Sequence, residues 1–245
     1  MMTEQEYQEH IEKICGRDFL GLYGEVVGCD VYRILSLDFV PDTVLDIGAN
    51  VGFFSRFAHQ MFPDANIVSV EPDEGNCAKF RSFPAITELW ESRSVLLELA
   101  LGVAPIYRGL TARNGSGATY LSSGLGYPRR LMDQETRMGS RKKMVVAEVG
   151  CMTLAQILSL FCRPGRKVVL KIDCEGAENT IWSDPASMTA LKSVDYIAME
   201  LHDYGINHIE RNAVLARTRS ALEELSNTHN CSREGVHFWA RRITL

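Results

Sequence analysis

Three acids in this chain stand at or near the ends of short apolar runs. The first is Asp46, in Val44-Leu45-Asp46-Ile47-Gly48-Ala49-Asn50-Val51-Gly52-Phe53-Phe54-Ser55. This stretch begins apolar, breaks into a glycine-containing turn and becomes a helix, because Phe53, Phe54, Phe57 and Ala58 recur at helical spacing. Strand, tight turn and helix together present backbone N–H groups to a ligand at a helix N-terminus. Gly48 would let a ligand lie against the backbone, and Gly52 would let the helix pack close to the strand. Asn50 tolerates a positive φ better than most residues.

The second acid is Glu71, which ends Ile67-Val68-Ser69-Val70-Glu71-Pro72 and lies 71 − 46 = 25 residues after Asp46. That leaves room for one helix and one strand. In βαβ nucleotide sites an acid so placed accepts hydrogen bonds from ribose hydroxyls. The loop is not the dinucleotide fingerprint, since Gly48 and Gly52 stand four apart with no G-x-G-x-x-G. An acid also precedes it, where a pyrophosphate would be repelled. A ligand with a ribose and a cationic amino-acid end fits better, and S-adenosylmethionine is such a ligand. The candidate cofactor residues are Asp46, Gly48, Asn50, Gly52, Ser55, Glu71, Pro72, Ala100 and Asp173.

The third acid is Asp173, at the end of Val168-Val-Leu-Lys-Ile-Asp173. Lys171 and Asp173 are two apart on a strand and share a face. Lys171 could neutralise that carboxylate or lower a substrate hydroxyl's pKa. Glu175 and Glu178 follow at the strand-to-helix corner, where they could also serve as helix-dipole partners and caps. Another run, Val194 to Leu201, ends in Glu200-Leu-His202-Asp203. His202 is the best general base by intrinsic pKa, with Glu200 as its orienter. The candidate catalytic set is therefore Lys171, Asp173, Glu200 and His202. Asp173, Glu175 and His202 are conceivable cation ligands, but their spacing is not a metal signature, and no metal is expected.

These residues need a parallel sheet to bring them together. Strands are predicted at 43–46, 67–71, 94–101, 168–173 and 194–201, with helices at 52–61, 75–82, 175–182 and 209–225. Thr153 is the expected N-cap of a helix over 153–161. The last strand, 235–244, alternates Val236, Phe238 and Ala240 against His237, Trp239 and Arg241. In an open α/β sheet ligands bind outside the carboxyl ends of the strands. Asp46, Glu71, the turn at 99–102, Asp173 and His202 all fall at such ends. Helices are predicted at 3–15 and 27–39, in an N-terminal extension over 1–40 that caps the sheet or lines the cofactor mouth. Residues 103–143 read as an insertion with hairpin strands at 107–111 and 118–121 and a strand candidate at 143–149. Arg129, Arg130, Arg137, Arg141, Lys142 and Lys143 cluster there, and a loop this long is expected to be a lid over the substrate.

Three stretches resemble the FkbM family of S-adenosylmethionine-dependent methyltransferases. They are Asp46-Ile-Gly-Ala-Asn-Val-Gly, Val70-Glu71-Pro72 with Asn76, and Lys171-Ile-Asp-Cys-Glu-Gly-Ala-Glu178. The first two are shared with many methyltransferases; the third is the specific one. The resemblance covers roughly residues 40–245. It implies a single domain with the Rossmann-like class I methyltransferase fold: α/β, a mostly parallel sheet with helices on both faces and an antiparallel C-terminal strand. It also implies O-methylation of a hydroxyl on a small molecule, a natural product or a sugar.

Composition narrows the alternatives. At 245 residues and 46% apolar, the chain can bury a full core. A net charge of −5 argues against nonspecific nucleic-acid binding. That weighs against an RNA ribose methyltransferase, which Lys171 and the acids would otherwise permit. An NAD(P) oxidoreductase lacks its fingerprint, while a non-catalytic cofactor-binding protein would keep the same motifs. Seven cysteines without C-x-x-C read as reduced thiols. The charged N-terminus is no secretory signal, and no run has the ~18 apolar residues of a membrane span. A soluble, cytoplasmic protein is expected.

Overall fold

The computed structural model describes residues 4–17, 19–83, 89–103, 106–113, 119–121, 145–202 and 208–243. Its centre is a sheet of seven strands: β1 (Thr43–Ile47), β2 (Asn66–Val70), β3 (Ser94–Leu97), β8 (Val168–Ile172), β9 (Tyr196–Glu200), β10 (His229–Glu234) and β11 (His237–Arg242). The order across it is β10-β11-β9-β8-β1-β2-β3. The five strands from β9 to β3 are parallel, and β11 runs antiparallel to both of its neighbours, β9 and β10. β1 and β8 are buried at every position, as parallel strands covered on both faces must be.

Successive side chains go to opposite faces. Val44 and Val169 join one core with Phe53, Phe54 and Phe57 of α3 (Phe53–Met61) and with Phe80 of α4 (Glu74–Ser82). Ile11 of α1 (Glu4–Ile14) and Phe19 and Tyr23 of α2 (Phe19–Tyr23) pack on the same face. Leu45 and Leu170 join the other core, with Leu154 and Ile157 of α6 (Leu154–Phe161), Met188 of α8 (Pro185–Leu191) and Leu225 of α9 (His208–Leu225). Helices thus cover both faces, in a Rossmann-like arrangement. Thr153 caps α6 in a reciprocal capping box with Gln156.

Four elements differ from expectation. The strand expected at 94–101 divides. Ser94–Leu97 stays in the main sheet, while β4 (Ala100–Leu101) pairs with β7 (Val145–Met152) in a second sheet, β4-β7-β5-β6. In that sheet β5 (Ile106–Arg113) and β6 (Thr119–Leu121) form the expected hairpin. The basic cluster and the lid proper lie outside the described residues. No helix runs over 27–39. Gly24–Gly28 is a π-turn and Ile34–Ser36 a 3-10 turn, because Asp30 and Arg33 take left-handed φ of 47° and 55°. The Asp30 carboxylate caps the Ile34 and Leu35 N–H groups. The helix expected at 175–182 begins later, as α7 (Asn179–Ser183), after a turn with positive φ at Glu175 and Gly176. Trp239, expected opposite the Phe238 face, is buried too, because the N-terminal segment covers it.

Candidate active site

A cleft opens along the carboxyl ends of β3, β2, β1 and β8. Its walls hold Leu99, Ala100 and Leu101 past β3, Glu71 and Pro72 past β2, Gly48 to Val51 past β1, and Asp173 to Glu175 past β8. Leu22, Val26 and Tyr32 of the N-terminal segment close one side.

Glu71 is the most constrained acid here. Its carboxylate accepts from the Asn50 N–H at 2.8 Å, the Asp73 N–H at 2.9 Å and the Asn76 side chain at 3.3 Å. Burial pushes its pKa up to about 7, and those three donors oppose the shift. A carboxylate accepts about four hydrogen bonds, so Glu71 keeps capacity for a ligand donor. Asn50 does adopt a positive φ, 52°, which turns its N–H onto Glu71. Pro72 and Ala100 both line the cleft.

Asp46, Ser55 and Gly52 do not. Asp46 and Ser55 are fully buried beneath the loop. The Ser55 hydroxyl lies 2.6 Å from Asp46 Oδ2 and 2.7 Å from Ser69 Oγ. Asp46 and Ser55 are both expected on the cofactor; neither lines the cleft, because their side chains meet each other between the sheet and α3. Gly52, with φ 88°, packs against the Phe80 ring rather than the strand, and a Cβ there would lie 2.4 Å from it. Gly48, with φ 78°, gives way to protein as well. A Cβ on it would sit 1.7 Å from the Asp173 carbonyl oxygen.

Lys171 is the hub. Its Nζ lies 2.7 Å from the Gly48 carbonyl, 3.1 Å from Asp46 Oδ1 and 3.9 Å from Asp173 Oδ2. Burial would lower its pKa, but Asp46 and Asp173 outweigh burial and raise it. It is a permanent cation tying β1, the loop and β8 together. Asp173 borders the cleft, its pKa raised by burial and pulled back by Lys171. Its Oδ2 accepts from the Tyr32 hydroxyl at 2.8 Å.

His202 sits among carboxylates. Its Nδ1 lies 3.1 Å from Glu178, and its Nε2 lies 3.5 Å from Glu200, 3.7 Å from Glu175 and 3.8 Å from Asp173. Burial alone would lower the imidazole's pKa, but bonds to Glu178 and Glu200 and the charge of Asp173 push it up to about 11. His202, expected as the general base, does not line the cleft itself; it stands behind Asp173 and Glu175, which do. Glu200 does sit beside it, and hydrogen bonding to His202 lowers the Glu200 pKa. Glu178, expected as a helix cap, makes no cap bond. Its buried carboxylate accepts from the His202 and Gly176 N–H groups at 2.7 and 2.9 Å. Asp173, Glu200 and His202 bring one ligand atom each within 4.8 Å of one another, a mixed oxygen and nitrogen set. Glu200 replaces Glu175 in that grouping.

Tyr32 was missed. No motif carries it, and the helix expected at 27–39 hid the turn that aims it.

The chain's residues 46–224 match the model of the methyltransferase FkbM domain. No curated protein matches the chain. Among solved structures it is similar to a presumed O-methyltransferase from Klebsiella pneumoniae, at 12% identity over 96% of this chain and 90% of that one, with a TM-score of 0.44. A magnesium protoporphyrin IX methyltransferase from Synechocystis with bound SAH shares 11% identity over 99% and 89%, with a TM-score of 0.43. Human N-acetylserotonin methyltransferase in complex with SAM shares 10% over 99% and 57%, also at 0.43. These likenesses are distant, and no substrate follows from them. The family match spans most of the chain and every strand end that lines the cleft, and on that match the protein belongs to the FkbM methyltransferase family.

Proposed function

We propose that this chain transfers the methyl group of S-adenosylmethionine to a hydroxyl of a small molecule. One observation carries the proposal: the cleft wall changes in chemistry in a single direction along neighbouring strand ends. The apolar edge Leu99–Leu101 comes first, then the buried carboxylate of Glu71, then the loop 48–51, then the acids past β8. Three strand spacings separate its ends, about 14 Å. An adenine suits the apolar edge and a ribose hydroxyl suits Glu71. A cationic sulfonium suits the end that carries Asp173 and Glu175. The residues present fit the cofactor.

S-adenosylmethionine, when bound, supplies an activated methyl group. The protein has to align a nucleophile and deal with its proton. Asp173 is the carboxylate at that end of the cleft; the Tyr32 hydroxyl donates to it and the Lys171 cation lies 3.9 Å away. We assign it the hydrogen bond from the substrate hydroxyl and receipt of its proton. His202 serves as a fixed cation that holds Asp173, Glu175 and Glu200 together. A metabolite extract supplied with labelled S-adenosylmethionine should yield a labelled product. Asp173→Asn should slow that transfer at least a hundredfold, the usual scale for removing a general base. Near-normal transfer by Asp173→Asn would remove Asp173 from the chemistry. A product labelled on nitrogen would make the acceptor an amine.

A further inference from the structure

The N-terminal segment lies outside the matched residues 46–224, yet it sends one polar group to the methyl-transfer end of the cleft. We propose that Tyr32 is a positioning residue that sets which oxygen of Asp173 faces the substrate. The inference rests on the assignment of Asp173 above.

The Tyr32 hydroxyl donates to Asp173 Oδ2 at 2.8 Å. Among the described residues, the cations near this carboxylate stand farther off, Lys171 Nζ at 3.9 Å from Oδ2 and His202 Nε2 at 3.8 Å from Oδ1. Those distances attract without orienting, since a hydrogen bond needs roughly 2.7–3.2 Å. Rotation of the carboxylate is therefore set by Tyr32, which occupies Oδ2 and leaves Oδ1 for a donor in the cleft. The phenol is 3% exposed. Burial, and after it the charge of Asp173, raises its pKa well above the ordinary value, so it remains a donor.

The group is also held rigidly. The Tyr32 ring meets Phe54 edge-on at 5.2 Å. Its carbonyl accepts from the Tyr196 hydroxyl at 3.0 Å, and the Val31 carbonyl accepts from Trp239 Nε1 at 3.1 Å. Arg33 lies 3.5 Å over the Trp239 ring and pairs with Glu234. The turn is strapped to β9, β10 and β11, and the hydroxyl comes to the end of β8. A group so fixed can hold a reacting carboxylate near its productive geometry.

The test is Tyr32→Phe, which removes one oxygen and keeps the ring. Transfer from labelled S-adenosylmethionine to a fixed metabolite extract is measured against cofactor concentration, beside a thermal melt. We expect apparent kcat to fall about tenfold or more, the scale of one hydrogen bond to a charged group. KM for S-adenosylmethionine should stay within about twofold, because the hydroxyl acts through Asp173 and not on the cofactor, while Tm should drop by the few degrees that loss of one buried hydrogen bond brings. Unchanged kcat would overturn the proposal. So would a kcat loss accompanied by a KM raised several-fold, which would mark Tyr32 as a wall of the cleft and no more. Failure of the underlying assignment looks different: Asp173→Asn then turns over normally, whatever Tyr32→Phe does.

Discussion

Glu71 and His202 show how burial decides what a titratable residue can do. Glu71 is expected to bind cofactor as the anion, since ribose hydroxyls donate to it. Burial pushes its pKa up to about 7. Binding to the ionised form pulls that value down and releases a proton. Affinity for S-adenosylmethionine should therefore be level above about pH 7 and fall as pH drops below it, by at most about tenfold per unit. Titration calorimetry between pH 5 and 8 checks this, and a flat profile would mean that Glu71 takes no ligand. Glu71→Ala should weaken binding about ten- to a hundredfold, the loss of one charge-assisted bond. His202→Ala is expected to cost stability before it costs chemistry. It leaves the buried Glu178 carboxylate without its ring partner, and breaking a buried pair costs about 3–5 kcal/mol. A His202→Ala protein that melts like wild type would show that the carboxylates need no imidazolium.

Among the elements, the sheet was legible and its corners were not. Apolar runs with an acid at or near their ends, Asp46, Glu71, Asp173 and Glu200, mark the strand ends, because a strand covered on both faces is mostly apolar; the buried Lys171 and Asp46 are the paired exceptions. The corner after β8 departs from the helix expected at 175–182 because Glu175 and Gly176 both take positive φ, and Gly176 is the one residue there whose type signals it. Ser55 and Asp46 were misplaced for a related reason. Sequence puts them beside the loop without saying which face they take; Asp46 on β1 and Ser55 on α3 meet each other between sheet and helix. The carboxyl ends of β1 and β8 meet at Gly48. Gly48→Ala should therefore melt far below wild type, because its Cβ has no room beside the Asp173 carbonyl and its φ of 78° strains any L side chain. A melt within a few degrees of wild type would show that the two strand ends can part.

At the scale of the whole molecule, the fold aligns the contributions of separate strands. No helix among the described residues is long and apolar enough to cross a membrane, and none of the seven cysteines is in a disulfide. What does mark function is the succession of groups along the strand ends, from the apolar edge past β3 to the acids past β8. The N-terminal segment completes that cleft with Leu22, Val26 and Tyr32, a contribution no sequence motif carries because it depends on where a turn lands. Titration calorimetry of the wild-type chain with S-adenosylmethionine, with NAD as control, addresses the cleft as a whole. A single S-adenosylmethionine site, weakened at least about tenfold by Glu71→Ala and silent toward NAD, is the expected result. Tight NAD binding, or no heat with S-adenosylmethionine from a folded protein, would contradict it.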